Sequence, residues 1–296
     1  MILLLSIFPL ILISSSGLLV NLYLFIKFFS KHPEATTEFN KLCHAKTIPN
    51  ILVCSAFLFW ASPLSALELS LDKIPNLPNV FIGQVAVVGS YMARPSIQLF
   101  MSVNIWFSVY FPLKKLQIRV HLVTSSALIV VWLSVTAYVI RAMIPLSCGV
   151  FYDPLLFIWT SEARDCWFEL DFTAISVVVL SVISNVFTLA TLSKLCCDRV
   201  GGLSSGALHR RRNRRVRLFV QSMCQDCLHI IDVINWKIIA EMNSDVWFQF
   251  LFSSISLLSI HALDGFVMLY FHNEFHPKVV KRVNNQTTLA NITVSY

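Results

Sequence analysis

The chain has 296 residues, 56% of them hydrophobic and only 13% charged, with a formal net charge of +7. Ordinary soluble domains carry about 25% charged residues, so this balance excludes a water-soluble globular domain. The excess positive charge does not point to nucleic acid, because the cations fall in alternate loops between long apolar runs, as positive-inside bias places them.

A hydrocarbon core needs about 20 apolar residues in a helix. Candidate spans are Met1–Phe29, Thr47–Leu69, Val80–Tyr110, His121–Pro145, Asp171–Leu195, Val216–Ala240 and Val246–Phe271. The runs do not alternate strictly, so they read as helices rather than barrel strands. The first has no charge before Lys27 and is too long for a signal peptide, so it reads as a span with essentially no tail before it. The expected fold is an all-α bundle of seven transmembrane helices over 1–275, with a short tail over 276–296.

The loop after the first span and its flanks hold Lys27, Lys31, Lys41 and Lys46. The loop after the third holds Lys114, Lys115 and Arg119. The loop after the fifth holds Lys194, Arg199, Arg210, Arg211, Arg212, Arg214, Arg215 and Arg217, and the tail holds Lys278, Lys281 and Arg282. The opposite loops hold little beyond Lys73 and Arg164, with Arg141 and Lys237 at helix ends. This bias predicts an N-terminus outside and a C-terminus in the cytosol. The sequons at Asn285 and Asn291 then lie on the cytosolic tail, out of reach of glycosylation. The arginine-rich stretch also reads as a contact for anionic inner-leaflet lipids, at roughly 1 kcal/mol per cation.

The loop between the fourth and fifth spans is acidic and holds Cys148 and Cys166. On an oxidising face the two read as a disulfide, with two free thiols as the alternative. Cys196 and Cys197, beside basic residues at the cytosolic end of the fifth span, are palmitoylation candidates or simply packed. Cys224 and Cys227 form a Cys-x-x-Cys inside a span with no partner pair at ligand spacing, so no metal site is expected. No nucleophile–base set or phosphate-binding glycine loop appears either, so neither an enzyme nor a cofactor is expected.

Charges at membrane depth face the bundle interior and have partners. Arg94 in the third span, Asp226 and Asp232 in the sixth, and His261 and Asp264 in the seventh form a candidate polar network. Helical rise puts Arg94 level with Asp226 and within reach of Asp264, which predicts an ion pair from the third span to the sixth or seventh. Pro49, Pro63 and Pro95 within or at the ends of spans can kink them around a pocket.

Four stretches together carry a resemblance. They are Gly17-Leu-Leu-Val-Asn21; Asn104-Ile-Trp-Phe-Ser-Val-Tyr-Phe-Pro112-Leu-Lys; the loop from Cys148-Gly-Val-Phe-Tyr-Asp-Pro through Trp159 to Cys166; and Arg217-Leu-Phe-Val-Gln221 through Asp226 with His261-Ala-Leu-Asp264-Gly265. Their order and spacing resemble the nematode serpentine chemoreceptors of class x, within the G-protein-coupled receptors. The resemblance implies a chemosensory receptor of the plasma membrane, in sensory cilia of chemosensory neurons. It would take a small molecule among the outer halves of its helices and signal to a heterotrimeric G protein.

Candidate ligand contacts are Tyr91, Arg94, Gln98, Asn235 and Trp236. Asn104, Lys114, Lys115 and the cations from Arg210 to Arg217 would face the G protein. The chain departs from the family at Ile105, where the family has Arg after the Asn at the base of the third span. A ligand-gated cation channel or a non-signalling accessory protein is the alternative. A channel wants rings of charge around a pore, and a transporter wants paired repeats; the chain shows isolated polar positions and no repeat.

Overall fold

The computed structural model describes residues 2–30, 38–111, 114–144, 149–161, 167–197 and 206–273; the side chains of 2–6, 114–121, 167–170, 196 and 206–215 stand outside that description. Among the described residues seven helices make up the fold. They are α1 (Ile2–Phe29), α2 (Glu38–Ala66), α3 (76–110), α4 (Lys114–Ala142), α5 (Trp167–Cys197), α6 (206–239) and α7 (246–273). A short antiparallel hairpin, β1 (Phe151–Asp153) and β2 (Ile158–Thr160), lies between α4 and α5, with Tyr152 opposite Trp159.

Helix α3 sits at the centre, packed on α2, α4, α5 and α6, while α1 closes the bundle against α2 and α7. The surface is the reverse of a soluble protein's. Leu19, Ile26 and Phe29 on α1, Leu122, Ile129 and Leu133 on α4, and Ile175, Val182 and Val186 on α5 are exposed. Asn21, Asn50, Gln98, Gln221, Asp226 and Asp264 are buried. Apolar side chains outward and polar ones inward suit a hydrocarbon solvent, in which interhelical hydrogen bonds and close packing, not hydrophobic burial, hold helices together.

Small residues make that packing close. A methyl on Gly17 would stand 2.8 Å from both the Ala262 Cβ and the Cys54 Sγ, so α1, α2 and α7 meet there almost backbone to backbone. A methyl on Gly265 would stand 2.6 Å from Asn21 Nδ2. Only a hydrogen at that position leaves room for the Asn21 amide.

By length and composition, five helical stretches can cross a membrane among the described residues: Ile7–Phe29, Glu38–Ala66, Leu122–Ala142, Asp171–Leu195 and Val246–His272. The two helices that fall short, α3 and α6, carry Gln84, Arg94, Gln98, Gln225, Asp226 and Asp232 on their inward faces. Polarity facing protein lowers mean hydropathy without exposing a charge to lipid.

Three helix starts precede the apolar windows by seven residues or more. Helix α2 begins at Glu38 rather than Thr47, α4 at Lys114 rather than His121, and α6 at Gly206 rather than Val216. Backbone hydrogen bonding continues past the apolar run, and long cationic side chains at a helix end can reach toward the interface. Lys46 is the consequential case. The sequence groups it with the flanks of the first loop, yet it lies inside α2 and is 1% exposed. The sequons at Asn285 and Asn291, together with Cys148 and Cys166, lie outside the described residues.

Candidate functional site

Four helices carry a widened, π-type turn: Phe57–Ala61 in α2, Gly83–Gly89 in α3, Asn235–Ile239 in α6 and Phe250–Ile255 in α7. All four lie toward the end of the bundle where the hairpin sits. In α2 the cause is local. Pro63 brings no N–H, and the turn before it opens so that the Ser62 N–H reaches the Phe57 carbonyl, which the Ser62 hydroxyl also reaches at 2.8 Å. Such turns shift the helical register by one residue and recur at functional sites.

Between the turns of α3, α6 and α7 is a cavity of about 280 Å³. Val88 and Tyr91 of α3, Asp232 and Trp236 of α6, Leu257 of α7 and Trp159 of the hairpin are among its lining residues. Apolar area dominates and a few polar groups converge, as in small-molecule sites. Tyr91 and Trp236 meet edge to face with centroids 6.0 Å apart, and Tyr91 also contacts the His229 ring at 5.2 Å.

The hairpin is anchored rather than loose. Asn79 Nδ2 donates to the Tyr152 carbonyl at 3.0 Å, while its Oδ1 accepts from the Tyr152 N–H at 3.0 Å and from Trp60 Nε1 at 2.9 Å. The Tyr152 hydroxyl bonds Ser65 at 2.8 Å, and burial pushes that phenol up, so it stays protonated and able to donate at physiological pH. On the α7 side Ser254 donates to the Phe157 carbonyl at 2.6 Å. Replacing Asn79 with Leu leaves both Tyr152 backbone groups and the Trp60 N–H without that partner. At about 1–3 kcal/mol per stranded buried group, this is expected to loosen the hairpin, read as faster amide exchange over 150–160.

Below the cavity an ionic and hydrogen-bonded cluster ties α1, α2, α3, α6 and α7 together. Asp264 of α7 is fully buried and faces two cations, Lys46 Nζ of α2 at 3.1 Å and Arg94 Nη2 of α3 at 3.3 Å. Asn50 Nδ2 donates to Asp264 Oδ2 at 2.9 Å and to Asn21 Oδ1 of α1 at 3.0 Å. Lys46 also donates to Gln98 Oε1 at 2.5 Å, and Gln98 Nε2 donates to the Ser222 hydroxyl of α6 at 2.7 Å. One turn deeper, Ser102 of α3 meets Ser184 of α5 at 2.8 Å, and Ser184 donates to Asp226 of α6 at 3.0 Å. A polar column therefore runs down the bundle axis from the cavity floor.

A family profile for the serpentine-type 7TM GPCR chemoreceptor Srx matches residues 11–272. The chain belongs to this chemoreceptor family. No curated protein gives a significant match to it.

In this serpentine receptor the residues singled out from sequence divide by depth. Tyr91 and Trp236 line the cavity. Arg94 and Gln98 are not among the lining residues and sit in the cluster beneath, while Asn235 turns its amide to Ser256 at 3.0 Å. Of the expected network, Arg94 meets Asp264, Asp226 joins the serines, and Asp232 accepts from Ser256 at 2.8 Å on the cavity side. His261 is fully buried and donates from Nδ1 to the Leu257 carbonyl at 2.9 Å.

Lys46, Asn21 and Asn50 have no place in the sequence reading of that network. A lone asparagine in an apolar first span, and a lysine and an asparagine on either side of Pro49, give no period that marks them inward. Only the packing of α1, α2 and α7 does. At the opposite end, Asn104 is half-buried, and Lys114, Lys115 and the cations from Arg210 to Arg215 lie on the first turns of α4 and α6, with side chains outside the described residues. Arg217 is half-buried. Cys197 is an exposed free thiol at the end of α5, and the Cys196 side chain is outside the description. Cys224 and Cys227 are free and exposed, and among the described residues no group of His, Cys, Asp and Glu could hold a metal.

Proposed function

We propose that this chemoreceptor binds a small organic molecule in the cavity under the hairpin and signals to a heterotrimeric G protein from the arginine-rich end. In this reading the N-terminus is outside and the arginine run cytosolic, at the plasma membrane. The observation that carries it is the cavity itself. It lies at the junction of α3, α6, α7 and the hairpin, it is lined by residues of three widened turns, and one helical turn beyond its Tyr91 stands Arg94 of the polar column. Ligand contact there can bias helices that the column ties together, provided the ligand binds the two arrangements unequally.

The test is heterologous expression with a G-protein reporter and an odorant panel. Trp236→Ala is expected to right-shift any response about tenfold or more while surface expression holds, since it removes an aromatic wall. Responses untouched by Trp236→Ala and by Tyr91→Ala would place the ligand elsewhere.

Ile105 has a further consequence. It is 4% exposed and packs in the apolar cluster with Ile97 and Met101 rather than facing a cytosolic crevice. Ile105→Arg would therefore bury an unpaired cation, and the expected outcome is lost surface expression, not restored coupling. Normal surface levels of that variant would show that the position can turn toward the crevice.

A further inference from the structure

From the chemistry of the cavity wall we infer that the ligand is a compact organic cation, a protonated or quaternary amine. The inference rests on the cavity being the ligand site, as proposed above, and specifies what that site selects. Asp232 lines the cavity and is 2% exposed. Its Oδ1 accepts from the Ser256 hydroxyl at 2.8 Å, and that hydroxyl in turn accepts from Asn235 at 3.0 Å, so the carboxylate is held in place.

Among the described residues no Lys, Arg or His forms an ion pair with Asp232. Arg94 pairs instead with Asp264, at 3.3 Å. Lys237 also lines the cavity, yet its Nζ is taken up by Asp171 at 2.7 Å. Glu241 adds a second carboxylate to the wall. Setting Lys237 against Asp171 leaves the wall negative.

The rings complete the site. Tyr91 and Trp236 are set edge to face beside Asp232, and Trp159 stands on the hairpin side. Aromatic faces attract cations within about 6 Å of the ring centre, most strongly when water is excluded. The Trp236 ring already has the Lys237 Nζ 5.0 Å over it. An anion would meet Asp232 and Glu241 without compensation. A neutral apolar ligand would bury a carboxylate and give it nothing. An amine supplies the missing charge and uses the rings.

The experiment is ligand-induced thermal stabilisation of the purified full-length receptor. The probes are a shape-matched trio and a pair that differ in charge: 2-phenylethylamine, 2-phenylethanol and phenylacetate, with phenyltrimethylammonium and its tert-butylbenzene isostere. The expected result is stabilisation by the cations at concentrations about tenfold or more below those of their isosteres. Asp232→Asn is expected to abolish that preference, and Asp232→Glu to retain part of it.

Neutral or anionic members binding as well as the cations would overturn the inference and leave the cavity as the ligand site. Stabilisation by no probe of any charge would overturn both. A cation preference unchanged in Asp232→Asn would also overturn the assignment. If that variant does not fold, the charge comparison on the wild-type chain decides by itself.

Discussion

Asp264→Asn is expected to be the most damaging single substitution in the bundle. It keeps the shape of the side chain and removes one negative charge from between Lys46 and Arg94, both 1% exposed. Among the described residues the two buried cations are then left without an ion-pair partner. Breaking a buried pair by removing one partner costs about 3–5 kcal/mol, and here one partner serves two cations. The measurement is thermal stability of the detergent-solubilised receptor, alongside surface expression.

Lys46→Met is expected to do much less. It removes one of the two cations that share Asp264 and leaves the Arg94–Asp264 and Asn50–Asp264 contacts in place. If Asp264→Asn matches the wild type in stability, the cluster does not hold the bundle together. Basal signalling of whatever fraction reaches the surface separates two roles for the pair. Raised basal output marks a contact that opens on activation, and unchanged output marks a permanent clamp.

Gly83→Val is expected to abolish ligand response while leaving the bundle folded. A methyl at Gly83 would run into the Val150 carbonyl, with the Val150 carbon at 2.7 Å and the Phe151 nitrogen at 3.3 Å. These are backbone atoms at the start of β1, so no side chain can rotate away. The hairpin must lift off α3, taking Trp159 out of the cavity wall and straining the Asn79–Tyr152 bonds. The ionic cluster lies deeper and is not touched. The expected readout is therefore normal surface expression with at least a tenfold loss of response. A Gly83→Val receptor that responds normally would show that the hairpin does not shape the binding site.

Seven helices, their approximate limits and the family are legible along the chain. Spanning a hydrocarbon layer is a constraint on run length, and run length is a one-dimensional property. The charge of α3 and α6 was legible too, because Arg94, Asp226 and Asp232 stand out against apolar neighbours. What each charge faces was not. Arg94 has Asp226, Asp232 and Asp264 all at plausible depth, and the choice of Asp264 depends on the rotation of α3 and α7 about their axes.

Lys46 shows the same limit from the other side. A lysine near the edge of an apolar run looks like a loop cation, and only a helix that starts at Glu38 carries it into the core. The cavity is further still from the sequence, because the widened turns in α3, α6 and α7 shift side-chain register by one residue and no periodicity announces them. The sequence by itself determined the solvent, the number of helices and which residues bring charge into the membrane. The tertiary structure alone decided which charges touch and which line the cavity, because those depend on helix rotation and close approach at Gly17, Gly83 and Gly265, distances that no count along the chain contains.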